Sequence, residues 1–262
     1  MLSAPQGDRP APARDVVSGA VYFAVMFPLR DSIPSSRPPL VNVLVIGSCV
    51  VLFLFELSLG RHLERFLTLY AFVPARFFHP ALFEASFGFN LGSLVFSMFL
   101  HGGWLHLIGN MWFLWVFGDN VEDAMGHFRY AIFYLASGAA AALAQALAAP
   151  HSTVPMVGAS GAIAGVLGAY FVWFPWSRVK TLLFLGIFMT ITELPAPLFL
   201  LLWFVVQFFS GTLSLAAAGA AGGGVAWFAH IGGFVAGAAI ALALRRGRGA
   251  RVPPRPPSLW SE

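Results

Sequence analysis

The sequence predicts an all-α membrane protein, a bundle of six transmembrane helices. Two observations carry this. The chain of 262 residues is 58% hydrophobic and 10% charged, with a mean hydropathy of +0.79, whereas soluble domains carry about 25% charged residues. Its apolar residues also gather into runs close to the roughly 20 residues a helix needs to cross a bilayer. Within lipid such helices satisfy their own backbone groups, and helix-on-helix packing takes the place of a water-soluble core.

Residues 1–39, rich in Pro, Arg and Ser, are expected to form a cytoplasmic N-terminal tail. The apolar stretch from Val16 to Pro28 is too short to span, and no small-x-small cleavage site follows it. Pro34, Pro38 and Pro39 punctuate the entry to the first span. The expected spans are Leu40–Leu59, Trp104–Val121, Tyr130–Ala149, Ser160–Trp176, Leu194–Leu213 and Val225–Leu244, all within one domain covering 40–244. A long connection, Gly60–Leu100, separates the first two. The apolar segment Lys180–Thr192, closed by Glu193-Leu194-Pro195, is too short for a span and is expected at the membrane interface or packed on the bundle. Residues 245–262 form a basic tail. The lone Cys49 excludes an internal disulfide and reads as a buried, inert thiol.

Charge sets the orientation. An even number of spans puts both tails on one side, which then collects Arg9, Arg14, Arg30, Arg37, Arg129, Arg178, Lys180, Arg245, Arg246, Arg248, Arg251 and Arg255. Only Arg61, Arg65 and Arg76 fall on the other side. The positive-inside rule makes the tails cytoplasmic, and the expected location is the inner (plasma) membrane of a bacterium. The net charge of +4 is thus a membrane signature; the basic tail has no aromatic residues interleaved before Trp260, so no nucleic-acid partner is expected.

Three spans carry polar side chains to a common depth. Ser160 lies sixteen residues from Trp176 at the inner edge and His230 fifteen from Arg245, roughly 24 and 22 Å of helix. His106 lies sixteen residues from Glu122, again roughly 24 Å, with Asn110 one turn below it on the same face. In a hydrocarbon core about 30 Å thick, these groups sit a few Å below the outer surface. Gly161, Gly165 and Gly168 form one small-residue stripe, and Gly233, Gly237 and Ala241 another, so the two helices can approach closely.

A submerged serine is a nucleophile only if a base takes its proton, and His230 is the candidate base for Ser160. No intramembrane carboxylate is placed to orient the imidazole, since Glu56 lies near the outer end of the first span. The arrangement is therefore a dyad. Oxyanion stabilisation falls to the Ser160 backbone N–H at a helix N-terminus and to His106 and Asn110. Gly158 and Gly161 flank the serine and let backbone approach it. Taken singly, a membrane serine bonds its own helix at i−4, and a histidine near a span end is structural. His62, His79, His127 and His151 keep that structural reading, as does His101, which sits at the mouth of the site. Together, four polar groups at one depth point to function.

On His106-x-x-x-Asn110, Gly158-Ala159-Ser160-Gly161 and Ala229-His230-Ile231-Gly232-Gly233, in that order, the chain resembles the rhomboid intramembrane serine proteases from about Leu40 to Leu244. The resemblance implies a six-helix rhomboid-like bundle with Ser160 and His230 catalytic, His106 and Asn110 stabilising the oxyanion, and no cofactor or metal. It also implies single-span membrane proteins as substrates, cut in or near the transmembrane segment, with the fifth span and the 214–224 loop acting as gate and cap. Some members carry Trp-Arg in the first connection where Gly92-Ser93 stands here, and an aromatic four residues after the serine where Ala164 stands. The competing readings are a non-catalytic client-binding relative, which loss of Ser160 or His230 would favour; a transporter, which would show paired charges or an internal repeat; and a His106–His230 metal site, which lacks two further ligands.

Overall fold

The structure, a computed structural model, describes residues 26–83, 86–185, 188–205 and 226–246. The first 25 residues of the expected tail, the end of the fifth span, the 214–224 cap and the basic tail beyond Arg246 lie outside the described residues.

Helix α1, Leu40–Ser58, opens the bundle. The first connection then folds into short pieces: α2 (Leu63–Tyr70), α3 (Pro74–Phe78) and α4 (Phe87–Phe96). Helices α5 (Trp104–Met125) and α6 (His127–Ala148) follow, hinged at Gly126, whose φ of 79° favours glycine. Helix α7, Ser160–Trp173, has 14 residues. It stops three residues short of the expected Trp176 because Pro175 disfavours helix at Phe174, where φ is −121°. Helix α8 is described over Ala196–Val205 and α9 over Trp227–Arg246.

By length and composition, three described helices can cross a membrane: α1, α6 and α9. A fourth span arises if Gly88–Phe99 and α5, bent by 83°, count as one. Helices α7 and α8 are apolar but shorter. The protein is thus a mostly helical integral membrane protein.

One part departs from the all-α expectation. Lys180–Thr192 belongs to a β-hairpin, β2 (Arg178–Leu185) and β3 (Phe188–Pro195), which pairs with β1 (Met26–Asp31) in a three-stranded antiparallel sheet of order β1-β2-β3. Val179, Thr181, Ile191 and Thr192 suit strand. The partner of β2 lies about 150 residues upstream, with Asp31 opposite Val179. The stretch expected as loose tail thereby gains an ordered strand.

Helices α7 and α9 pack backbone against backbone. A Cβ on Gly233 would collide with the Gly161 carbonyl, one on Gly237 with that of Gly165, and one on Gly168 with that of Phe234. At the end of the bundle away from Ser160, the buried Glu122 carboxylate accepts the Val41 and Asn42 N–H groups at 2.9 and 2.8 Å, capping α1 in place of an N-cap side chain. Asn42 donates to the Leu114 carbonyl and accepts from Tyr130 Oη. These bonds tie α1, α5 and α6 together.

Candidate active site

Ser160 is the first residue of α7, so its N–H has no partner within the helix. His230 lies one turn into α9. The glycine contacts hold these helices close enough for Ser160 Oγ and His230 Nε2 to lie 2.8 Å apart, within hydrogen-bond reach. His230 is buried and Ser160 half-buried. When Nε2 is unprotonated it accepts the serine proton, the geometry a general base needs.

The other residues singled out from the sequence gather here too. Gly158 has φ +122°, a conformation open to glycine, and its N–H donates to the Ser97 carbonyl at 2.9 Å. The His106 ring packs directly on it: a Cβ at Gly158 would stand 2.6 Å from Cε1 and Nε2 of His106 and 3.7 Å from Nδ2 of Asn110. That Asn110 Nδ2 is buried and has no hydrogen-bond partner. A buried donor left unpaired costs about 1–3 kcal/mol, so its retention calls for an acceptor that arrives later. Gly161 faces the methyl group of Ala141, which makes it a packing residue beside the serine.

Several contributors escaped the sequence reading. The His230 ring lies between two tryptophans, Trp227 at 5.9 Å edge-on and Trp203 of α8 at 6.1 Å. Trp227 stands three residues before His230, on the same helix face, a spacing that could have revealed it. Gln145 of α6 accepts the Phe228 and Ala229 N–H groups at 3.0 and 3.3 Å, fixing the first turn of α9. Glu56 does not reach the imidazole. Its buried carboxylate accepts the His101 N–H and so anchors the turn leading into α5. His101 stands edge-on to His106 at 5.3 Å.

The first connection braces the loop before Ser160. Met156 N–H donates to the Phe72 carbonyl and Ala75 N–H to that of Ser152. Arg76, buried at the centre of this connection, donates to the carbonyls of Thr68, Leu69 and Ala71 and to Asn90 Oδ1. Among the described residues no three His, Cys, Asp or Glu side chains converge as metal ligands would.

Known proteins share this core. The chain is 37% identical over 98 residues to Rhomboid-like protein 11, chloroplastic, of Arabidopsis thaliana, covering 36% of this chain and 34% of that one. It is 41% identical over 76 residues to Rhomboid protease GluP of Bacillus subtilis, 29% and 14% of the two chains. It is also 37% identical over 90 residues to Inactive rhomboid protein 1 of Drosophila melanogaster, 33% and 6% of the two. The matched stretches thus span about a third or less of these relatives' lengths. The sequence model of the Rhomboid domain matches residues 89–247, more than half of the chain and all of the helices that carry the site, and the protein accordingly belongs to the rhomboid family.

Proposed function

We propose that the protein is an intramembrane serine endopeptidase that hydrolyses peptide bonds in or near transmembrane segments, using a Ser160–His230 dyad. The observation that carries this reading is the 2.8 Å separation of Ser160 Oγ and His230 Nε2. As Oγ bonds to the scissile carbonyl carbon, His230 takes the serine proton and the carbonyl oxygen becomes an oxyanion. The Ser160 N–H, Asn110 Nδ2 and His106 are the donors to that oxyanion. The C–N bond breaks as His230 returns the proton to the departing amine, leaving an acyl-serine. Water, deprotonated by His230, then releases the acid and restores the serine.

A helical peptide bond is shielded by its own hydrogen bonds, and leaving them unmet in lipid costs several kcal/mol. Single-span substrates with Gly, Pro, Ser or Ala near the cut open with least cost and should be preferred. In this reading α8 and the 214–224 segment act as gate and cap. The same reading carries six spans, with α7 and α8 completing the count, in a bacterial plasma membrane with cytoplasmic tails.

The test is cleavage of a single-span reporter by the reconstituted full chain. Wild type should cut, while Ser160→Ala and His230→Ala should each fall to background with unchanged melting. Equal cleavage by all three rejects the dyad.

A further inference from the structure

Over Ala196–Val205, helix α8 carries no polar side chain apart from the Trp203 indole. In lipid such a helix gains no hydrophobic driving force from its neighbours, because acyl chains are as apolar as leucine. Its ring contacts with α5 and α9 are aromatic. Phe199 packs on Phe113 and Phe117 of α5 at 6.4 and 6.0 Å. Trp203 lies 6.1 Å from His230 and 6.3 Å from Phe234, and Phe204 lies 4.9 Å from Phe234. Leu198, Leu201, Leu202 and Val205 are exposed.

The root of α8 is held in another way. Pro195 ends β3 and Ala196 begins α8, with no residue between. The Ala196 N–H donates to the Ser177 carbonyl at 2.9 Å and closes the hairpin at the foot of β2. Strand β1 then holds the hairpin. Asp31 pairs with Val179 and Met26 with Leu183, and the Arg178 N–H donates to Ser32 Oγ at 2.9 Å. Strand β1 is itself bonded to the bundle. Trp112 Nε1 donates to the Pro28 carbonyl at 2.6 Å, Asn120 Nδ2 donates to the Asp31 carboxylate at 2.7 Å, and Tyr170 Oη donates to the same carboxylate. Phe27 packs on the Trp112 ring at 5.2 Å. Along α5 the two sets of contacts interleave: Trp112 and Asn120 meet β1, while Phe113 and Phe117 meet α8.

Different forces thus act along α8. Leaving a polar group unmet in an apolar surrounding costs more than exchanging one apolar neighbour for another. The root therefore resists displacement, and the rest of the helix yields to it. Ala196 and Trp203 are seven residues apart, about 10 Å of helix. A tilt of about 15° at the root carries Trp203 through roughly 3 Å, enough to withdraw it from the His230 ring.

We propose that β1 is a strap that pins the root of α8 and makes this helix a lever, with Trp203 near its free end. The role of the lever rests on the reading of α8 as the gate of the proteolytic site; the strap itself does not. The strap limits how often the lever swings out, and so how often a substrate enters. A strand from before the first span thereby governs a helix that reaches the catalytic base.

The test is a pulsed spin-resonance distance measurement on the full chain in lipid, in a Cys49→Ser background, with nitroxides at Leu147→Cys on α6 and Leu202→Cys on α8. Trp112→Phe keeps a ring against Phe27 and removes the donor to Pro28; Asn120→Ala removes the donor to Asp31. Each should raise the displaced population of α8 by about threefold, the worth of one hydrogen bond within a membrane. A nitroxide at Leu198→Cys, near the root, should shift less than one at Leu202→Cys. Trp173→Phe, which removes an indole donor of the same kind from the α7–α9 pair, should leave α8 in place. Unchanged distances in both strap variants, or an equal change in Trp173→Phe, overturn the strap. Equal shifts at the two α8 positions overturn the lever. The same distances should appear in Ser160→Ala, so a chain that cuts nothing still tests the strap. In the cleaving chain, kcat/KM for the single-span reporter should rise about threefold with the displaced population. An unchanged or lower kcat/KM with α8 displaced overturns the lever as a gate and leaves the dyad standing.

Discussion

At the scale of single residues, the reactive contact rests on an imbalance of partners. His230 has the Ser160 hydroxyl at 2.8 Å, whereas Asn110 Nδ2 is buried with nothing to donate to. An amide held in that condition beside Gly158 is suited to an oxygen that becomes negative only during reaction. Asn110→Ala should therefore lower kcat by about 10²–10³ and leave KM and melting nearly unchanged. Because the substitution removes an unpaired buried group, stability should even rise slightly; a large drop in melting temperature would make Asn110 structural. Helix rise alone was enough to bring Ser160, His230, His106 and Asn110 to one depth in the sequence, because depth in a membrane is one-dimensional. What surrounds the imidazole was not legible. Trp203 arrives from a helix whose rotation no sequence pattern fixes, and Gln145 acts through a side-chain oxygen on backbone N–H groups, a contact with no sequence signature.

At the scale of elements, two devices position α9. One is the glycine seam. A methyl group at Gly237 would meet the Gly165 carbonyl, so Gly237→Ala should wedge the helices apart, cost about 1–3 kcal/mol of stability and lengthen the Ser160–His230 contact. Thermal melting together with turnover reads both effects, and unchanged values would show that the seam is loose. The other device is Gln145, which satisfies two N–H groups at the start of α9. Gln145→Ala should remove about 1 kcal/mol, as loss of a helix cap does, and lower kcat with little change in KM. Gln145→Glu, which keeps the acceptor, should restore much of kcat; equal losses in both variants would mean that the contact does not position the base. Apolar length made α1, α5, α6 and α9 readable to within a few residues. The sheet was not readable, because β2 and β3 look like a short apolar segment until β1 is known, and β1 lies within a stretch whose composition resembles a tail.

At the scale of the whole molecule, the two ends of the bundle are fastened differently, and the fastening at the end away from Ser160 is sensitive to pH. The end that holds Ser160 is braced by Glu56 and by Arg76 within the first connection. The opposite end is joined through Glu122, and through Asp31, which links the sheet to α7 by accepting from Tyr170 Oη and to α5 by accepting from Asn120. Burial lifts the Asp31 carboxyl from its ordinary 3.8 to about 7; the neighbouring Asp119 adds to this, and the Tyr170 hydrogen bond opposes it. The sign follows from proton counting. Below about pH 4 the folded and unfolded chains both hold this proton, and above about pH 7 neither does. Between these limits only the folded chain holds it, so folded-state stability falls as the pH rises through this window. Asp31→Asn removes the titration but keeps a similar shape. The melting temperature of the wild type should therefore drop more between pH 5 and pH 8 than that of Asp31→Asn, measured in the same lipid so that other titrating groups cancel. Parallel curves would mean that the carboxyl is already charged at pH 5, and the junction between sheet and bundle would then be held by an ionised aspartate at every physiological pH.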